Sequence, residues 1–135
     1  MKSIPQIQKY MSTDPFTINS DQTLAQASKI MSEHRIRHLP VLHAGKIVGL
    51  LSERDVSLIC SIANISPEDV CVSEAMATDP YIVKPEALLD EVVLEMAEKK
   101  YGSAVVMHNH KVVGIFTAVD GLRTLSELLQ TRLAK

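Results

Sequence analysis

Two predicted strand-to-helix junctions carry the residues whose types and spacing could do chemistry. Both have the pattern Gly-x-x-(Ser/Thr)-x-x-Asp, formed by Gly49, Ser52 and Asp55 in one and by Gly114, Thr117 and Asp120 in the other. A hydroxyl and a carboxylate at this spacing can form a capping box at the start of a helix. The same groups can hydrogen-bond a vicinal diol such as a ribose, and helix-start amides favour phosphate. The two roles do not exclude each other.

The glycine at the head of each junction is not explained by capping. Glycine weakens a strand and usually marks a close approach by another backbone or by a ligand. Gly49 and Gly114 both occupy this position. We therefore treat the hydroxyl and carboxylate residues of both junctions as candidate ligand-binding residues as well as caps.

An internal repeat positions the two junctions, at an offset of about 65 residues. Residues 11–18 match residues 76–83, and residues 41–52 match residues 106–117. Within each copy, an Asp-Pro turn precedes a short strand, a helix with apolar residues at helical spacing, a hairpin and a closing helix. The predicted fold class is α+β, with two β-α-β-β-α repeats packed sheet to sheet with pseudo-two-fold symmetry.

The repeat divides the chain into three predicted parts. Residues 1–63 form the first repeat with an N-terminal segment, residues 64–74 a connector, and residues 75–135 the second repeat with its closing helix. The closing helices are predicted at about 54–63 and about 121–133. Each sheet is too small to cover its own apolar face, so we expect the two repeats to bury these faces against each other. The boundary between the repeats is then the expected place for ligand clefts.

Composition excludes several classes of function. The chain has 135 residues, 46% of them hydrophobic, and a formal net charge of -2, as expected for one compact soluble domain. Scattered basic residues and few aromatic residues argue against nucleic-acid binding. No apolar run reaches the roughly 20 residues of a membrane span, and the start lacks a signal-peptide pattern, so we expect a cytoplasmic protein.

The remaining candidate chemistry is weak. The five histidines have no partners at metal-ligand spacing, so no metal site is predicted. Cys60 and Cys71 form no CxxC pair and are expected to be packing residues. No nucleophile and base can be paired, so no catalytic residue is predicted. A phosphate-transferring enzyme is disfavoured because no phosphate-cradling Gly-x-x-x-x-Gly-Lys loop is present.

Taken together, the tandem repeat, the segment Arg35-Ile36-Arg37-His38-Leu39-Pro40-Val41 and the two junction patterns resemble a pair of CBS domains, the module named after cystathionine β-synthase. The resemblance extends from about Tyr10 to about Leu129. It implies a Bateman module, a non-catalytic regulatory sensor with two clefts for adenosine-containing ligands. It also implies that such pairs commonly form homodimers.

The resemblance implies which residues line each cleft. In one cleft, Thr117 and Asp120 would hold the ribose, with adenine against Thr17, Ile18 and Leu39 and the phosphates near Arg37, His38 and Arg54. In the other, Ser52 and Asp55 would hold the ribose, with Ile82, Val83, Ser103 and Ala104 beside the ligand. Only the first cleft gains positive charge, so we expect it to bind a nucleotide more tightly. The basic residues could also be ordinary surface charges.

The functional prediction is a stand-alone regulatory protein that requires no cofactor and signals occupancy, such as energy status, to an unknown protein effector. Its regulatory ligand would be AMP, ADP, ATP or S-adenosylmethionine. The competing hypothesis is a ligand-free dimerisation or interaction module in which both junction patterns act only as caps. A rise in melting temperature on adding a nucleotide would separate the two, because a ligand that binds the folded state stabilises it by mass action.

Overall fold

The computed structural model describes residues 3–132, except for the side chain of residue 63. It has an α+β architecture of two repeats, which confirms the predicted α+β class and the repeated order of elements. The strands are β1 Ser12–Thr13, β2 Ile18–Asn19, β3 His38–His43, β4 Lys46–Ser52, β5 Ile82–Val83, β6 Ser103–His108 and β7 Lys111–Thr117. The helices are α1 Leu24–His34, α2 Glu53–Ala63, α3 Leu89–Lys99 and α4 Ala118–Arg132.

The chain forms two compact units. The first unit is Pro15–Pro80, and the second unit combines Met1–Asp14 with Tyr81–Lys135. Both exchanges between units fall at an Asp-Pro sequence, after Asp14 and after Pro80. The predicted order β-α-β-β-α is observed in each unit, as β2-α1-β3-β4-α2 and as β5-α3-β6-β7-α4.

The first unit contains a three-stranded sheet in the order β2-β3-β4. Strand β2 pairs with β3 in parallel, and β3 pairs with β4 in antiparallel orientation. Ala44 and Gly45 connect the hairpin with φ angles of 51° and 79°, as expected where both residues of a two-residue turn have positive φ. Leu24, Leu39 and Leu51 are fully buried in the core of this unit.

The second unit contains a four-stranded sheet in the order β1-β7-β6-β5. Asn109 and His110 connect its hairpin, again with positive φ angles of 51° and 64°. Phe116 is fully buried and packs in a core with residues of α3 and β6. The additional strand, β1, comes from the N-terminal segment and pairs with β7 in antiparallel orientation.

The N-terminal segment is therefore part of the second unit. Ile7 is fully buried in the core that contains Phe116, and its N–H donates to the carbonyl of Ala87 at 2.7 Å. The N–H of Leu89, at the start of α3, donates to the carbonyl of Pro5 at 2.9 Å. These bonds satisfy backbone groups that would otherwise lose their partners on burial.

The segment that follows α2 completes the first unit in a matching way. Val72 is fully buried in the core of that unit, and its N–H donates to the carbonyl of Gln22 at 2.8 Å. The N–H of Leu24 donates to the carbonyl of Val70 at 2.9 Å. Each repeat is thus completed by the segment that precedes the other repeat along the chain.

Packing and repeat order divide the chain at different points. The sequence-based division into 1–63, 64–74 and 75–135 places the N-terminal segment with the first repeat, whereas the compact units place it with the second. The division stays a prediction about the limits of the repeats. The closing helices begin one and three residues earlier than predicted, at Glu53 and Ala118; Leu133, the predicted end of the second, lies outside the described residues.

Candidate functional site

The candidate site in each unit is the junction between the hairpin and the closing helix. In the first unit, the N–H of Ser52 donates to Asp55 Oδ2 at 2.9 Å, and the N–H of Asp55 donates to Ser52 Oγ at 3.1 Å. This reciprocal pair is the predicted capping box at the start of α2. It satisfies two backbone donors, one of them within the first turn of the helix.

The second unit repeats this arrangement at the start of α4. The N–H of Thr117 donates to Asp120 Oδ2 at 2.8 Å, and the N–H of Asp120 donates to Thr117 Oγ1 at 3.2 Å. Asp120 Oδ1 lies 4.0 Å from a guanidinium nitrogen of Arg123, whose side chain is 79% exposed. In both boxes the backbone bond occupies one carboxylate oxygen, so the carboxylate retains capacity to accept a hydrogen bond from a ligand hydroxyl.

The junction glycines are explained by close approach of the chain itself. A Cβ at Gly49 would lie 2.6 Å from Met76 Sδ and 2.7 Å from the carbonyl oxygen of Ala77. Ala77 and Leu50 exchange two backbone hydrogen bonds of 2.9 Å, which hold the segment that contains Met76 and Ala77 beside strand β4. A Cβ at Gly114 would collide with the side chain of Met11. The sequence left open whether another backbone or a ligand approaches these glycines. In the structure, another segment of the chain approaches both of them.

The predicted polar and basic ligand residues of the first unit lie at the end of its sheet where β3 begins and β4 ends. His38 pairs with Ser52 across the hairpin, and the carbonyl of Arg37 accepts from the N–H of Glu53 at 2.9 Å. The side chains of Arg37 and Arg54 are exposed, and His38 is half-buried. The structure thus brings these basic residues beside the Ser52 and Asp55 box of their own unit. Their assignment to the Thr117 and Asp120 cleft stays a prediction.

The predicted apolar contacts of the first unit differ in exposure. Ile18 and Leu39 are 2% and 0% exposed in the core, whereas Thr17 is half-buried. Ile18 pairs with Val41 in the parallel ladder. Only Thr17 of these three therefore offers substantial accessible surface in the described structure.

The predicted ligand residues of the second unit lie at the equivalent end of its sheet, where β6 begins and β7 ends. Ser103 pairs with Thr117, and Ile82 pairs with Val105 on the other side of β6. Ile82 is 45% exposed, Val83 is half-buried and Ala104 is fully buried. Ser103 Oγ is buried and is the one such side-chain oxygen or nitrogen among the described residues without a hydrogen-bond partner.

Two tyrosines precede the strands of the second unit at this end: Tyr81 directly precedes β5, and Tyr101 lies two residues before β6. The rings of Tyr81 and Tyr101 stack with centroids 5.1 Å apart and planes at 25°. Burial raises the pKa of Tyr81 above its ordinary value of 10.0, and the charges of Glu95 and Glu91 and the neighbouring Tyr101 add to the increase. The sequence-based assignment included neither ring.

The raised pKa of Tyr81 predicts an alkaline effect on stability. The folded state favours the neutral phenol, so this contribution is fully present below pH 10.0 and is lost as the pH rises through the higher pKa of the folded state. The Tyr81→Phe variant cannot ionise at this position. We therefore expect its stability relative to the wild type to be higher at about pH 11 than at about pH 8, where the phenol is neutral in both states. Urea unfolding at several pH values measures this difference. A constant difference over that range would contradict the assignment.

Among residues 3–132, no group of three or more His, Cys, Asp and Glu side chains is arranged to hold a metal ion. No helix within the described part of the chain is long and apolar enough to cross a membrane. Cys60 and Cys71 are both free thiols and half-buried.

Comparison with solved structures supports the same architecture. A structure from Vibrio cholerae assigned to an acetoin utilization protein (AcuB) matches with a TM-score of 0.85 and 28% identity, covering 98% of each chain. The CBS domain pair of protein MJ0100, solved in complex with 5′-methylthioadenosine and S-adenosyl-L-methionine, matches with a TM-score of 0.80 and 25% identity. That match covers 90% of this chain and 99% of the other.

A curated relative shows that similar sequences also occur within larger enzymes. The inosine-5′-monophosphate dehydrogenase of Korarchaeum cryptofilum is 28% identical over 132 residues, which are 97% of this chain. The chain spans 26% of the length of that dehydrogenase. The similarity therefore concerns a part of the enzyme and carries no conclusion about its whole activity.

A family model assigns both repeats. The model of the CBS domain matches residues 7–60 and again residues 72–127. The two matches include both junction patterns, Gly49 to Asp55 and Gly114 to Asp120. The chain belongs to the CBS domain family and contains two CBS domains in tandem.

Proposed function

We propose that this protein is a non-catalytic regulatory module that binds an adenosine-containing ligand at its strand-to-helix junctions. The observation that carries the proposal is the pair of reciprocal boxes, Ser52 with Asp55 and Thr117 with Asp120. Each joins a hydroxyl and a carboxylate that remain half-buried, and therefore accessible, at a helix start. The MJ0100 complex with 5′-methylthioadenosine and S-adenosyl-L-methionine supports the adenosyl class of ligand.

The ligand would act by shifting a conformational equilibrium. A ligand changes such an equilibrium only when it binds one state better than the other. AMP, ADP, ATP and S-adenosylmethionine are the candidates, and the occupied state would be recognised by a protein effector. We propose that the protein requires no cofactor besides this regulatory ligand and that it acts in the cytoplasm.

The basic residues carry a proposal about nucleotide phosphates. Arg37 and Arg54 are exposed and lie beside the start of α2. Charge-assisted contacts from guanidinium groups to phosphate are strong. We propose that these residues and His38 contact the phosphates of the ligand. The sequence-based assignment predicts that these phosphates belong to a ligand whose ribose is held by Asp120. Because Arg37 lies beside Ser52, the alternative is that they belong to a ligand whose ribose is held by Asp55.

A thermal-shift panel tests this proposed function. We expect at least one of AMP, ADP, ATP, NAD and S-adenosylmethionine to raise the melting temperature of the wild type, because binding to the folded state stabilises it. The shift should disappear in Asp55→Ala or in Asp120→Ala, according to which junction binds. If Arg37→Ala with Arg54→Ala reduces the same shift at low salt, the phosphate proposal gains support. Equal shifts in all of these variants would contradict the junction assignment.

An interaction module is the second candidate function, and one observation favours it. Helix α4 exposes the apolar side chains of Leu122, Leu125 and Leu129, which are 68%, 53% and 47% accessible. Apolar side chains at this spacing form a stripe on one face of a helix. A homodimer through this stripe is therefore proposed alongside ligand binding, and it becomes the principal function if no adenosine-containing ligand binds.

A further inference from the structure

Helix α3 of the second unit has two sides of different chemistry. Its buried side is apolar and consists of Leu89, Val92 and Met96. Its outward side carries Leu94, which is 58% exposed, and Ala97, which is also exposed. A single exposed leucine is common on protein surfaces and needs no explanation. The charged residues beside Leu94 distinguish this helix.

A row of three glutamates borders these apolar residues. Glu91, Glu95 and Glu98 follow one another at i, i+4 and i+7, so they lie on one side of the helix. Leu94 lies three residues after Glu91 and four before Glu98, so it is a neighbour of both. Within residues 3–132, none of the three carboxylates lies in an ion pair. Like charges at this spacing destabilise a helix, so the row is an uncompensated negative surface.

The helix dipole does not account for this row. Acidic residues in the first turn of a helix interact favourably with the dipole, which explains Asp90 and Glu91. Glu98 lies in the last turn, where the dipole favours a positive charge instead. Burial raises the pKa of Tyr81, and the charges of Glu95 and Glu91 raise it further, so the negative potential extends to the neighbouring sheet. Helix stability therefore does not explain the row.

The equivalent helix of the first unit shows that the fold does not require this surface. Helices α1 and α3 both have 11 residues. In α1, Lys29 occupies the position of Leu94, and its Nζ lies 3.9 Å from a carboxylate oxygen of Glu33, which occupies the position of Glu98. The positions of the other two glutamates hold Gln and Ile in α1. The exposed leucine and the unpaired row are thus specific to α3.

From this contrast we infer that the α3 face, defined as Leu94 and Ala97 with Glu91, Glu95 and Glu98, is the docking surface for a basic amphipathic helix of the protein effector. Lys or Arg side chains of that helix would complement the glutamates. Its apolar side chains would cover Leu94 and remove it from water. The inference rests on the proposed function for the existence of an effector, and it adds the chemistry by which the effector binds.

A second copy of this chain is a poorer match for the α3 face. A helix that complements three glutamates at this spacing needs several basic residues within two turns. Among the helices of the described chain, α1, α2 and α3 contain one Lys or Arg each, and α4 contains two, Arg123 and Arg132, which are nine positions apart. The charge pattern therefore favours a different protein as the partner.

Fluorescence anisotropy of a labelled synthetic peptide, titrated with the full chain, tests the inference. The probe is a helical peptide of about 18 residues with Lys at i, i+4 and i+7 beside a row of Leu. We expect the wild type to bind it at least about tenfold more tightly than a scrambled peptide of the same composition. The triple variant Glu91→Gln, Glu95→Gln and Glu98→Gln should weaken binding about tenfold and remove most of its salt dependence. Leu94→Gln should also weaken binding about tenfold.

The matched control removes three exposed carboxylates outside α3. It combines Asp21→Asn, Glu33→Gln and Glu127→Gln, and it should bind the peptide as the wild type does. Equal weakening in this control and in the α3 glutamate variant would overturn the inference, because net charge alone would then attract the peptide. Equal binding of the ordered and scrambled peptides by the wild type would overturn it as well.

Two further measurements identify the occupant and separate this inference from the proposed function. If sedimentation shows a wild-type oligomer that Leu94→Gln dissociates, the α3 face belongs to a second copy and the inference is overturned. The α3 glutamate variant should bind an adenosine-containing ligand as the wild type does. If the wild type binds the ordered peptide specifically but binds no adenosine-containing ligand, the docking surface is supported and the proposed function is overturned.

Discussion

Ile7→Ala is expected to lower the free energy of unfolding by about 2–5 kcal/mol, the range for truncating a buried Ile side chain. Ile7 is fully buried in the core that contains Phe116, although it lies in a short segment far from that residue in sequence. The loss would leave a cavity that the sheet of the second unit cannot fill without moving its backbone. Ile7 also anchors the segment through its bond to Ala87, which the substitution retains.

Ile4→Ala is the matched control for this prediction. Ile4 belongs to the same segment but is 48% exposed, so its substitution should change the stability by no more than about 0.5 kcal/mol. Urea unfolding of both variants followed by circular dichroism measures the difference. Equal small effects would mean that the N-terminal segment does not complete the second unit.

The junction glycines give the second large effect. Gly49→Ala is expected to destabilise the protein by about 1–3 kcal/mol, the usual range for overpacking a buried site. The new Cβ would lie 2.7 Å from the carbonyl oxygen of Ala77, and that backbone is fixed by two hydrogen bonds to Leu50. Gly114→Ala should cost less, because the nearest atoms all belong to the flexible side chain of Met11.

Double variants distinguish the two sites. Met11→Ala removes the obstacle at Gly114, so Gly114→Ala should cost almost nothing in that background. Met76→Ala leaves the carbonyl of Ala77 in place, so Gly49→Ala should remain costly. Thermal and urea unfolding of the two double-mutant cycles measure these couplings. A similar rescue at both glycines would show that side chains alone explain the conflict.

Local patterns in the sequence predicted most of the fold. The repeat, the order of elements and both capping boxes depend on spacings of a few residues, such as that between Ser52 and Asp55. The exchange of segments between units could not be predicted in this way. Ile7 is a single anchor in a short 3-10 turn, Ile7–Lys9, and one apolar residue carries no periodicity that would indicate which core it enters.

The candidate site was predicted in part for the same reason. The hydroxyl and carboxylate residues of each junction are three positions apart in sequence, and the predicted capping box, in which each side chain accepts from the backbone N–H of the other residue, was confirmed. The rings of Tyr81 and Tyr101 are separated by α3 and meet only through the pairing of β5 with β6. The glycines correctly indicated a close approach, but the approaching group is a chain segment. The ligand hypothesis therefore depends on the capping groups and the family, and no longer on the glycines.

The most direct test of the account is isothermal titration of the wild type and Asp120→Ala with AMP and with S-adenosylmethionine, beside Asp55→Ala. The account predicts saturable binding of at least one ligand by the wild type and its loss when the carboxylate of the binding junction is removed. Circular dichroism of each variant controls for loss of the helix cap, which costs about 1 kcal/mol. The account would be contradicted if the folded wild type bound neither AMP nor S-adenosylmethionine. It would also be contradicted if both variants bound the ligand as the wild type does.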